Sequence, residues 1–266
     1  MKIKLLKTST LAFVLLLSAC SSLPEASDET KNWSADKLYK EAMDELGNGG
    51  YEKSINLFEK LEARYPFGVY AQQAQMEIAY AHYRADEQPE ALAAIERFLK
   101  LHPNHPNADY MYYLRGLVNF NDKLGILDFI SAQDPTERDP KAAREAFDSF
   151  KLLADKFPNS KYTPDAIDRM NYLVNAMAQY EVHVSGYYYR RGAYVAAANR
   201  AQTVVKQFPG TPATEDALYL MVLSYDKLGQ TELHDDAERV FKANFPNSPL
   251  LTGGRVKPTS WWQFWK

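Results

Sequence analysis

Cysteine, glycine and histidine are scarce in this sequence, and each shortage excludes something. One cysteine in 266 residues can form neither an internal disulfide nor a thiolate metal cluster. Twelve glycines are too few for a collagen-like or low-complexity chain. Charge of one sign is also lacking, with 31 basic residues against 34 acidic ones. That balance leaves no overall basic footprint for nucleic acid. Of the five histidines only His102 and His105 are close. With no carboxylate or thiolate beside them they make a poor zinc site and read as loop surface. No nucleophile elbow, zinc-protease helix or dinucleotide fingerprint occurs. Gly47-Asn48-Gly49-Gly50 lacks the Lys-Ser/Thr of a phosphate loop. The expectation is a non-enzymatic protein with no catalytic residue, no metal and no cofactor.

The start of the chain is an address. Lys2, Lys4 and Lys7 precede an apolar run over residues 11–17, far shorter than the roughly 20 residues that span a bilayer as a helix. This is a signal peptide over residues 1–19 rather than a membrane span. It ends in Leu17-Ser18-Ala19-Cys20, which resembles a bacterial lipobox, and the sole cysteine falls at its acylated position. Cleavage before Cys20 leaves 28 basic against 34 acidic residues, a net charge of −6. Two or more acyl chains make a stable anchor. Ser21 in place of Asp points such a lipoprotein to the outer membrane, facing the periplasm. Residues 20–33 read as a lipidated, flexible tether.

The remainder of the chain is one pattern written five times. An aromatic residue or His precedes Pro at Tyr65-Pro66, His102-Pro103, Phe157-Pro158, Phe208-Pro209 and Phe245-Pro246. The prolines are 37, 55, 51 and 37 residues apart, so the middle two intervals carry insertions of 18 and 14. Five residues before each proline stand Leu61, Phe98, Leu153, Val204 and Phe241. Eight before stand Phe58, Ile95, Phe150, Ala201 and Glu238, and twelve before stand Ser54, Ala91, Ala146, Ala197 and His234. Those offsets share one stripe of a helix. Thirteen residues past a proline come Ala79, Gly116, Asn171 and Val222, with Ala42 as the first unit's equivalent. Two helices crossing at small residues and stopped by proline resemble the tetratricopeptide repeat. The expected fold is all-α, five such units forming a superhelical solenoid over residues 34–250, with a degenerate last unit. The first insertion (122–139) reads as a loop with an apolar patch. The second reads as one long helix running on through residues 178–188.

In such a solenoid the first helix of each unit lines the inner groove. The predicted lining includes Tyr39 in the first unit, Met76, Tyr80 and Tyr83 in the second, and Tyr110, Tyr113 and Leu117 in the third. Arg84 and Arg115 flank it, placed either to meet a peptide carboxylate or as solvated rim. Tyrosine offers apolar area, a polar tip and few rotors to freeze, which suits recognition. Packing between helices is the other reading for these rings.

A lipobox followed by five such repeats resembles the BamD family, the outer-membrane lipoproteins of the β-barrel assembly machinery. Beyond generic repeats, the resemblance rests on Arg64-Tyr65-Pro66-Phe67-Gly68, the run from Asn104 to Tyr110, Tyr113-Leu114-Arg115-Gly116-Leu117, Glu137-Arg138-Asp139-Pro140, and the run from Tyr187 to Arg200. It implies a covalent lipid such as palmitate on Cys20. It also implies a scaffold that docks the POTRA region of BamA and other lipoproteins such as BamC. The same resemblance implies that unfolded outer-membrane β-barrel proteins are received through an aromatic-ended C-terminal segment. The N-terminal groove is then the candidate for that segment. Tyr187, Tyr188, Arg190, Arg191, Tyr194 and Arg200 are the candidates for BamA docking, or else a cap on the long helix. The alternative function is a generic repeat lipoprotein organising envelope proteins such as those of peptidoglycan. The tail over residues 251–266, with Trp261, Trp262, Phe264 and Trp265, fits a lipid headgroup layer, a partner, the groove itself or packing on the last repeat.

Overall fold

A computed structural model describes residues 28–120 and 141–252. The signal peptide, Cys20, the first insertion and the aromatic tail from residue 253 on lie outside the described residues. Among those described, ten α-helices follow one another, then a short 3-10 turn, Pro249–Thr252. They are α1 (Ala35–Gly47), α2 (Tyr51–Arg64), α3 (Val69–Arg84), α4 (Gln88–Leu101) and α5 (Ala108–Asn119). The rest are α6 (Lys141–Lys156), α7 (Thr163–Arg190), α8 (Tyr194–Gln207), α9 (Ala213–Leu228) and α10 (Thr231–Asn244). Each packs on its neighbour in sequence, as five antiparallel pairs.

The aromatic–proline marks are the ends of the second helices. A residue before proline is pushed out of the α region, and Tyr65, His102, Phe208 and Phe245 share one conformation, with φ between −127 and −131° and ψ between 49 and 63°. The N–H of each donates to the carbonyl four residues back, at Leu61, Phe98, Val204 and Phe241. Phe157 does the same to Leu153. The residues that close the helices are thus the ones whose side chains fill the core, and all five are buried. Ser34 starts the series as an N-cap, its Oγ accepting from the Lys37 N–H at 3.3 Å.

Close crossings need small residues. A Cβ on Gly116 would stand 2.3 Å from the Phe150 ring, so only glycine lets α5 lie against α6. In the first pair the Ser54 hydroxyl donates to the Ala42 carbonyl at 2.8 Å. In the fourth the device recurs with the donor on the other helix: Ser185 of α7 donates to the Ala197 carbonyl of α8, also at 2.8 Å. The last helix buries only Ala237 and Phe241, and His234 and Glu238 are only half-buried there. Lys242 pairs with Glu238 at 2.9 Å.

The long helix is present, as α7, but its crossing residue is Ser185 and not Asn171, which is exposed. The shift equals the 14-residue insertion. Fourteen residues fall only about 40° short of four full turns, so the added length lifts the crossing along the helix while keeping its face. At 28 residues α7 is about 42 Å long. Its first half packs in a cluster with Ala146, Phe150 and Leu153 of α6, through Ala166 and Leu173. Its second half packs with Ala201 and Val204 of α8, through Met177, Ala178 and Val182. One helix therefore joins the two halves of the solenoid.

The tether differs from the expectation at its end. From Asp28 onward it is held against α2. Arg64 donates to the Asp28 carboxylate and to the Thr30 carbonyl. Lys60 reaches Asp28 at 3.2 Å, and the Tyr65 hydroxyl donates to the Trp33 carbonyl at 2.9 Å. Hydrogen bonds from Thr30 and the Lys60 charge hold the Asp28 carboxyl down at about 2. From Cys20 to Asp28 the chain then has a reach of roughly 28 Å at most.

Candidate functional site

The first helices α1, α3 and α5 lie side by side, and their tyrosines form a continuous half-buried face. The Tyr39 ring meets Phe58 at 5.6 Å and Tyr70 at 5.5 Å between centroids. Tyr80 and Tyr83 follow, 6.3 Å apart. Tyr110 and Tyr113 both meet Tyr162, at 5.6 and 4.8 Å, the second pair stacked within 17° of parallel. Each ring packs on a neighbour while part of it stays exposed.

Most polar tips on this face are paired. The Tyr70 hydroxyl donates to Asp36 at 3.0 Å, and Tyr80 accepts from Arg84 Nη1 at 2.9 Å. The Tyr113 hydroxyl donates to Asp165 at 2.7 Å, and Arg169 Nε donates to the same oxygen at 2.7 Å. Burial and the Asp165 charge push the Tyr113 phenol up to about 12. Burial alone would raise Asp165, yet the bonds from Tyr113 and Arg169 win and its carboxyl titrates below the usual range. Glu77 is the exception. It is half-buried, with no hydrogen bond or ion pair among the described residues, and burial pushes its carboxyl up. It lies near enough to Tyr39 and Tyr110 that, after burial, its charge is the next reason both phenols are raised.

The residues expected in the groove divide. Tyr39, Tyr80, Tyr83, Tyr110 and Tyr113 gather on this face, and Arg84 stands exposed at its edge with its guanidinium 5.5 and 5.7 Å from the Tyr51 and Tyr80 rings. Leu117 is half-buried in the cluster around Phe150. Met76 does not line the face; it is buried in the core between α3, α4 and α5. Nor does Arg115, which points toward the second helices. There it donates to Glu96 at 2.8 Å and covers the Tyr112 ring at 5.2 Å, beside a surface pocket of about 440 Å³. Sequence reasoning missed Glu77, Tyr70, Tyr162 and Asp165. For Glu77 a signal existed: it falls four residues after Gln73 and three before Tyr80, on the same helical stripe.

At the corner between α7 and α8 the structure gathers Tyr187, Tyr188, Arg190 and Arg191. Tyr187 is 46% exposed, with the Arg191 guanidinium 5.4 Å from its ring centroid and Tyr188 at 5.8 Å. Tyr194 instead packs on Tyr189 at 5.4 Å. Arg200 is already engaged, its Nη1 at 3.1 Å from the buried Glu181. His102 and His105 pack on the Phe98 ring at 5.1 and 5.2 Å, and among the described residues no group of three His, Cys, Asp or Glu is placed to hold a metal.

The arrangement is thus a tyrosine surface with charges of both signs at its edges. The family described as "Outer membrane lipoprotein" (YfiO) matches residues 31–240. A protein of Neisseria meningitidis serogroup A, "Outer membrane protein assembly factor BamD", is 46% identical over 260 residues, 96% of this chain and 97% of the relative. Proteins of the same name from Xylella fastidiosa (strain Temecula1) and Vibrio cholerae are 36% and 35% identical, covering 94% and 90% of this chain and 85% and 99% of their own length. With that much of the chain matched at that identity, it belongs to the BamD (YfiO) family of outer-membrane lipoproteins.

Proposed function

We propose that this chain is the lipid-anchored periplasmic scaffold of the outer-membrane β-barrel assembly complex. Acylated Cys20 moors it. The tyrosine face of α1, α3 and α5 receives the aromatic-ended C-terminal segments of unfolded barrel proteins. The corner bearing Tyr187, Arg190 and Arg191 docks the POTRA region of BamA, with BamC as a further partner. No step of covalent chemistry is assigned to it.

The observation that carries this reading is the continuous tyrosine surface with Arg84 at its edge, on a chain colinear with assembly factors of that name. Half-buried tyrosines gain area on binding with little rotor entropy to lose, and the exposed guanidinium suits a terminal carboxylate. Arg200 contributes from within, since its bond to Glu181 ties α8 to α7 behind the corner.

Purification of the lipoprotein from native membranes tests the scaffold role; a complex without BamA would reject it. For the groove, Tyr80→Ala with Tyr113→Ala is expected to weaken binding of a barrel-protein C-terminal peptide about tenfold or more. BamA should still co-purify with this double variant. Unchanged peptide affinity in a folded double variant would remove the groove from the account.

A further inference from the structure

The charges on the tyrosine face are matched with one exception. Asp36 accepts from Tyr70, Asp165 from Tyr113 and Arg169, and Arg84 rests on Tyr80. Glu77, in the middle of α3, has no such partner among the described residues. It is half-buried on the helix that lies against both α1 and α5, near enough to Tyr39 and Tyr110 for its charge to raise both phenols, and Tyr80 lies one turn along α3. A carboxylate partly withdrawn from water, unpaired and with phenols of three helices near it, is open to a cation. A positive group approaching it gains the Coulomb attraction in reduced dielectric and the faces of nearby tyrosines. The chain's own nearest cation on this stripe, Arg84, is two turns away, about 10 Å along the helix.

We propose that Glu77 sets the specificity of the groove by receiving a Lys or Arg side chain of the bound segment. This rests on the groove reading and adds to it the charge of the preferred client. A segment whose terminal carboxylate meets Arg84 spans the distance to Glu77 with about three extended residues. The cation therefore belongs about three residues before the end, behind an aromatic terminus. The neighbouring tyrosines take the apolar side chains, and Glu77 discriminates among segments that are otherwise equally apolar.

The test uses the full mature chain and two ten-residue peptides ending in Phe, alike except for Lys or Gln three residues before the end. Fluorescence anisotropy at low salt is expected to show the Lys peptide binding about tenfold more tightly. Glu77→Gln should bring the two within about twofold by weakening only the Lys peptide, and Glu77→Lys should invert the order. A Lys preference that survives Glu77→Gln overturns the proposal, as does binding by the wild-type chain without preference; both leave the groove reading intact. No binding of either peptide overturns groove and proposal together. Circular dichroism melting of Glu77→Gln confirms that the comparison is between folded proteins.

Discussion

The two halves of the solenoid treat a withdrawn glutamate in opposite ways. Glu181, on the second half of α7, is 9% exposed and holds the Arg200 guanidinium at 3.1 Å. Glu77, on α3, is half-buried with tyrosines around it and no cation of its own among the described residues. The first arrangement is closed: both charges are spent on joining α7 to α8. The second is open, and the energy that a partner would recover is held for whatever binds. A repeat array permits this division because each pair contacts only its neighbours, so one unit can carry a poorly matched charge without loosening the others.

Breaking the closed pair should cost most. Arg200→Ala leaves Glu181 buried and unmatched, and the expected loss is about 2 kcal/mol of unfolding free energy, read from urea denaturation. Replacing both partners, Glu181→Leu with Arg200→Met, should restore most of it, because an apolar pair of similar volume needs no compensation. A loss under about 0.5 kcal/mol in the single variant would make the pair a surface contact and erase the contrast with Glu77.

A third carboxylate sharpens the comparison. Asp216, in the first turn of α9, is pushed up to about 6 by burial, with the adjacent Glu215 adding to it. Its folded-state value thus lies above the ordinary 3.8, so the folded protein holds the proton more tightly than the unfolded chain. Its contribution favours folding below about pH 4 and is lost as pH rises through 6. After discounting for the exposed part of the group, the expected decline between pH 4 and 7 is about 1–2 kcal/mol. Asp216→Asn should be more stable than wild type at pH 7 and remove that slope, measured as melting temperature against pH. Glu77, raised in the same direction by burial, adds to the slope. Asp28, held at about 2, acts with the opposite sign and only as pH falls from about 4 toward 2, outside this window. A flat profile from pH 4 to 7 would place Asp216 in water.

Much of this architecture is written locally and can be read without coordinates. The aromatic–proline marks work because the residue before proline is barred from the helix, a constraint of one dipeptide. The core residues at fixed offsets follow from the same helix period. Gly116 is visible as a crossing because its equivalents in the two preceding units, Ala42 and Ala79, are small. Three things are not legible. The position of the second insertion within α7 requires knowing which end of the helix grew, and proline spacing is blind to that; hence Ser185 where Asn171 is expected. Sequence proximity to Tyr113 and Leu117 suggests the groove for Arg115, but on a helix adjacent residues point about 100° apart, and its guanidinium turns to Glu96. Glu77 shares the stripe of Gln73 and Tyr80, but charge on an amphipathic helix reads as fully solvent-facing, whereas here neighbouring helices cover it in part. The site depends on which faces of three helices converge, and that is a property of packing.

The smallest effect on stability is expected where the effect on binding is largest. Glu77→Gln removes a charge that costs something to hold away from water and that has no ion pair to lose, so its unfolding free energy should stay within about 0.5 kcal/mol of wild type, and on the stable side. The shape is unchanged, since the amide is isosteric with the carboxylate. A substitution that melts like wild type but forgets the difference between Lys and Gln in a peptide separates recognition from folding at one atom pair. If instead Glu77→Gln destabilised the chain by about 1 kcal/mol or more, the carboxylate would be working inside the fold, as Glu181 does, and the two halves would no longer differ. Denaturation and peptide titration of the same variant decide between those outcomes, because a structural glutamate moves the first and a selecting one moves only the second.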